Sequence, residues 1–128
     1  MKYLLDTHTL LWWTAAPEML PPGVRFLLDD SANGLLVSIV TPWELAIKTN
    51  SGKLDATSLL TAMAQGSLAD DFSLLPAELA HVLRAGALPM HHRDPFDRLL
   101  IAQSLTLNAP ILSADTIFDR YGVQRIWN

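Results

Sequence analysis

Four acids in this chain, Asp6, Glu44, Asp97 and Asp115, are candidates for a shared chemical task. Carboxylates gathered at one place repel one another and raise each other's pKa values, and a divalent cation among them removes that cost. Oxygen-only donors suit Mg²⁺ or Mn²⁺ rather than zinc. A carboxylate-held Mg²⁺ most often serves phosphate chemistry. No rival donor set stands out: there is no cysteine, and His91 and His92 are adjacent and cannot share a helical face. Whether the four acids meet depends on the elements that carry them.

Tyr3-Leu4-Leu5 reads as a buried strand ending in Asp6, and Thr9 to Ala15 as a helix stopped near Pro17. Pro21-Pro22 opens a helix through about Asp30, and Asn33-Gly34 turns the chain into a second strand, Leu35 to Val40. Helices follow over Thr41–Asn50 and Ser58–Gln65, then a short strand over Phe72–Leu75 and a helix over Pro76–Leu83 that ends before Gly86. Pro95 to Leu107 is the longest helix, closed by Asn108. Ile111-Leu112 is a strand, Thr116–Tyr121 one or two helical turns, and Arg125–Trp127 a last strand. Short apolar strands alternating with helices predict a parallel sheet covered on both faces, a doubly wound three-layer α/β/α domain. Ligands of such sheets bind beyond the carboxyl ends of the strands. Asp6, Glu44 and Asp115 each follow such an end.

Each acid also has a purely structural explanation. Thr41-Pro42-Trp43-Glu44 has the pattern of a capping box with proline at the first helical position. Asp94-Pro95-Phe96-Asp97 repeats that layout, with Asp94 as N-cap and Asp97 favoured by the helix dipole. Asp6 and Asp115 stand where each would cap the helix behind it. Caps account for the acids singly; they do not account for four of them converging on one sheet edge.

The chain has 128 residues, half of them hydrophobic and 17% charged, which predicts one compact domain over residues 1–128 with a real core. Its net charge of −4 excludes binding of nucleic acid by overall basicity. The acid at position 6 interrupts the opening apolar run, so no secretory signal is expected. No run approaches the ~18 apolar residues of a membrane span, and a soluble, cytoplasmic protein without a membrane partner is the expectation.

Four segments carry a family resemblance. Leu4-Leu5-Asp6-Thr7-His8-Thr9-Leu10-Leu11-Trp12-Trp13 resembles the opening strand and helix of PIN-domain ribonucleases, and Thr41-Pro42-Trp43-Glu44-Leu45-Ala46-Ile47-Lys48 their second acidic segment. The stretch from His92 to Gln103, with Asp94-Pro95-Phe96-Asp97-Arg98, is similar to the most distinctive segment of one bacterial branch, and Leu112-Ser113-Ala114-Asp115-Thr116-Ile117-Phe118 resembles the fourth. They occur in order over essentially the whole chain, whose size is similar to that of the VapC-type toxins. The resemblance implies a twisted five-stranded parallel sheet and a Mg²⁺- or Mn²⁺-dependent endoribonuclease that cuts RNA. It also implies a homodimer silenced by a small antitoxin protein encoded beside it. By motif position, Asp6, Glu44, Asp97 and Asp115 carry over as the acidic metal site, with Thr7 and Ser113 as supports. His8 departs from the asparagine often found there, and any role given to that position is open.

Lys48 lies one helical turn after Glu44, and Arg98 is beside Asp97. Each is either a cation meeting substrate phosphate or an exposed charge whose pairing is worth only ~0.3–0.5 kcal/mol. Lys53 and Arg93 share that ambiguity. Asp119, one turn beyond Asp115, is either a further ligand or, as expected, a solvated acid. Trp12, Trp13 and Trp43 are expected to pack rather than stack on bases. His81, His91 and His92 are expected to be structural or surface residues. Two rivals are an aspartyl-phosphate-type phosphatase, weakened by His8 where that class has a second acid, and a non-catalytic interaction module whose acids are only caps.

Overall fold

The computed structural model describes residues 1–128. Five parallel strands form one sheet in the order β3-β2-β1-β4-β5: β1 (Lys2–Leu5), β2 (Gly34–Ser38), β3 (Ser73–Leu75), β4 (Ile111–Leu112) and β5 (Arg125–Ile126). Leu4 of β1 pairs with Leu36 of β2 on one side and Ile111 of β4 on the other. The chain builds outward from β1 in one direction, then returns to β4 and builds in the other. The crossover directions diverge between β1 and β4, so a crevice opens at the carboxyl ends of these two strands.

Helices α1 (Thr7–Ala15), α2 (Pro22–Asp29), α3 (Val40–Asn50), α4 (Thr57–Ala64), α5 (Leu79–Ala87) and α6 (Pro95–Leu107) complete the layers. Successive strand residues face opposite sides of a sheet. Leu5, Val37 and Leu112 pack with Leu10, Val24 and Leu45, whereas Leu4 and Ile111 pack with Leu100, Ile101 and Phe118. No helix is long and apolar enough to cross a membrane.

Most boundaries follow the local signals and four do not: β2 ends at Ser38 rather than Val40, and three helices begin elsewhere than expected. Helix α3 starts at Val40 with Ile39 at its N-cap and no side-chain cap. The Thr41/Glu44 capping box that would have explained Glu44 structurally is therefore absent, and the buried Thr41 hydroxyl has no partner. Helix α5 occupies Leu79–Ala87 rather than Pro76–Leu83, because the capping box that forms is Glu78 with His81. Gly86 thus lies inside the helix. Helix α1 begins at Thr7, two residues earlier than expected, with Asp6 as its N-cap.

Candidate active site

A cavity of about 450 Å³ opens at the carboxyl ends of β1 and β4, and Asp6, Glu44, Asp97 and Asp115 all line it. Asp6 leaves the end of β1 and caps α1. Its Oδ1 accepts the Thr9 N–H at 2.9 Å, and its Oδ2 accepts the Ser113 hydroxyl. Ser113 Oγ in turn accepts the Asp115 N–H at 3.0 Å, tying the first acid to the last. Asp115 accepts the Ile117 N–H at 3.0 Å through Oδ1. The capping explanations are thus correct for Asp6 and Asp115. A cap occupies one carboxylate oxygen, and it does not remove the group from the cavity.

Glu44 is buried on the first turns of α3, where it caps nothing. Thr7 donates to its Oε1 at 2.7 Å and Lys48 Nζ to its Oε2 at 2.6 Å. Thr7 thus contacts one acid, and Ser113 bridges Asp6 and the Asp115 backbone. Lys48 lines the cavity, and its pairing with Glu44 raises its pKa. Asp97 sits in the first turn of α6, whose N-cap Asp94 accepts the Phe96 N–H at 2.9 Å and the Asp97 N–H at 3.2 Å. Asp97 Oδ2 meets His92 Nε2 at 2.7 Å. Burial, with the charges of Asp94 and Glu44 adding to it and His92 opposing it, pushes the Asp97 carboxyl up to about 6. Burial also raises Asp6, against the hydrogen bonds from Ser113 and Thr9.

Five carboxylates, including Asp94, face the cavity beside a single lysine. That imbalance and the oxygen-rich donor set fit a hard divalent cation. Donor atoms of His92, Asp94 and Asp97 come within 4.8 Å of one another.

Arg98 and Asp119 do not join the four acids in the cavity. Arg98 is 7% exposed and donates to the carbonyls of Ala85, Leu88, Pro89 and His92, so it is not available to a substrate phosphate. Asp119 points away to Arg125, which donates to both its oxygens at 2.9 and 3.1 Å and holds its carboxyl below the usual range. It does not line the cavity.

Conversely, His92 and Asp94 belong to the cavity although neither was expected to serve the site there. Their signal was adjacency to the Pro95-Phe96-Asp97 motif. His92 lies in a segment without regular structure, so periodicity said nothing of where it points. Trp12 and Trp13 pack against the core, Trp12 lying 5.7 Å from the rings of both His8 and Trp127, whereas Trp43 is 61% exposed and meets Phe96 edge-on at 5.2 Å. Trp12 and the exposed His8 also line the cavity.

The PIN domain model matches residues 3–124. No curated protein sequence matches the chain significantly. Among solved structures, the chain is similar to one in VapBC2 from Rickettsia felis bound to a promoter DNA fragment, at 16% identity and a TM-score of 0.74, covering all of both chains. DNA-bound VapBC from Salmonella typhimurium matches at 17% identity and 0.71 over 98% of this chain and 96% of that one. FitAcB from Neisseria gonorrhoeae matches at 20% and 0.69 over the same shares. At these identities the likenesses establish the fold.

Proposed function

The chain belongs to the PIN-domain family, and from that premise we propose that it is a Mg²⁺- or Mn²⁺-dependent endoribonuclease, the toxin of a toxin–antitoxin pair. The observation that carries the reading is the convergence of Asp6, Glu44, Asp97 and Asp115, from positions up to 109 residues apart, on one open cavity. These four acids would hold the cation. Bound there, the cation supplies charge neutralisation for the scissile phosphate and a lowered pKa for the attacking water.

The chain's own residues prepare that site. Ser113 and the Thr9 N–H hold Asp6 in one orientation and favour its ionised form. Thr7 and Lys48 hold the two oxygens of Glu44 in place. Lys48 stands at the mouth as the cation positioned to meet a backbone phosphate, while Asp6 or Glu44 orients the water. The VapBC complexes among its structural relatives support a cognate antitoxin as partner. A homodimer, one domain over residues 1–128 and a cytoplasmic location complete the proposal.

The test is incubation of the purified chain with total cellular RNA, with and without Mg²⁺ or Mn²⁺, beside Asp97→Asn. Metal-dependent cleavage absent from the variant supports the reading. A folded, partner-free chain that cuts no RNA with either metal would leave the interaction-module alternative.

A further inference from the structure

The segment 88–94 between α5 and α6 has no regular structure, so its backbone groups need partners from elsewhere. Two side chains supply them. Arg98 Nη2 donates to the carbonyls of Ala85 at 2.8 Å and Leu88 at 2.9 Å, and Nη1 to those of Pro89 and His92, both at 3.0 Å. The Tyr121 hydroxyl donates to the Pro89 carbonyl at 2.7 Å and accepts the His92 N–H at 2.8 Å. Both backbone polar groups of His92 are therefore clamped, one by α6 and one by the 3₁₀ turn that follows β4.

The clamp has a directional consequence. It delivers the His92 imidazole to Asp97, where Nε2 lies 2.7 Å from Oδ2 and Oδ1 has no protein donor. Arg98 and Asp97 are neighbours at the start of α6, so one turn of helix carries both the acid and the group that fixes the acid's partner. Ligating carboxylates depend on such hydrogen bonds for their orientation, and losing a partner of this kind typically costs about 10–100-fold in metal affinity.

We propose that His92 is a positioning residue of the acidic site, held by Arg98 and Tyr121 so that it fixes Asp97 through Oδ2 and leaves Oδ1 for the cation. The inference rests on the reading of the cavity as a metal site. It goes beyond that reading by giving His92 and Tyr121 a part in metal binding.

Mn²⁺ binding to the purified full-length chain, followed by calorimetry at one pH and without RNA, tests it. His92→Ala is expected to weaken Mn²⁺ about 10-fold or more while the metal-free chain stays folded, with a single cooperative thermal transition. Tyr121→Phe, which removes only the hydroxyl, is expected to weaken Mn²⁺ less. In the double variant the Tyr121→Phe loss should vanish, because its effect runs through His92. Wild-type affinity in His92→Ala, or losses that simply add, would overturn the inference. If wild type and Asp97→Asn bind Mn²⁺ alike or not at all, the metal-site reading falls with it. If only Asp97→Asn loses binding, the positioning role falls alone.

Discussion

Ser113 donates its hydroxyl to the oxygen of Asp6 that the α1 cap leaves free, so that both oxygens of this buried carboxylate have donors. The same Ser113 oxygen accepts the Asp115 N–H, and one short side chain on the loop after β4 thereby joins two of the acids across the β1–β4 crevice. Ser113→Ala is expected to leave a buried carboxylate oxygen unpaired, costing about 1–3 kcal/mol and raising the Asp6 pKa further. Urea denaturation measures the first effect and metal-dependent cleavage at neutral pH the second. Ser113→Thr, which keeps the hydroxyl, should restore most of both.

The Asp97 carboxyl titrates at about 6 in the fold against 3.8 for the ordinary side chain, so the fold favours its protonated form. The stability that this form contributes is fully present below about pH 4 and is lost as pH rises through 6. Metal-free protein is therefore expected to lose on the order of 2–3 kcal/mol from this group between pH 4 and 7, with the raised Asp6 acting in the same direction. Asp97→Asn should flatten the slope in chemical denaturation across that range. Mn²⁺ affinity should move oppositely and strengthen as pH rises through 6, since proton and cation compete for the same carboxylate.

Lys48 Nζ occupies an oxygen of Glu44 at 2.6 Å, within the cavity proposed to bind a cation. Lys48→Ala should therefore bind Mn²⁺ more tightly, as a competing positive charge is removed, while losing affinity for RNA. In steady-state cleavage the expected result is a several-fold rise in KM with kcat less affected. Unchanged KM would assign Lys48 only to its ion pair.

Arg98 satisfies four carbonyls with one planar guanidinium, a task that a lysine ammonium does not match in shape or donor number. Arg98→Lys is expected to destabilise the fold by about 2–4 kcal/mol through carbonyls left without donors, read as a shift of the urea midpoint. A wild-type midpoint combined with lost RNA affinity would instead place Arg98 at the substrate.

Residues close in sequence decided much of this molecule. Pro95 and Asn108 mark both ends of α6, because proline is favoured at a first helical turn and Asn108 adopts the left-handed backbone, φ 51°, that ends a helix. Apolar runs placed the five strands, and their alternation with helices implied parallel order with the acids at one edge. What one residue does to another far along the chain was legible only in the fold. The Glu44 cap that the Thr41-Pro42-Trp43-Glu44 pattern offered as an alternative does not form: α3 starts at Val40, and Thr7, 37 residues earlier, and Lys48 hold both carboxylate oxygens. Arg98 and Asp119 read as free charges until burial against segment 85–92 and pairing with Arg125 removed them from the site. His92 became part of it because an irregular segment has no period to announce its direction, and only the side chains that fill its backbone hydrogen bonds, Arg98 and Tyr121, determine where it points. The sequence thus determined which acids reach the sheet edge, since local propensity and apolar pattern place strand ends; the tertiary structure alone decided which charges remain available there, since that depends on the desolvation and hydrogen bonding that packing imposes.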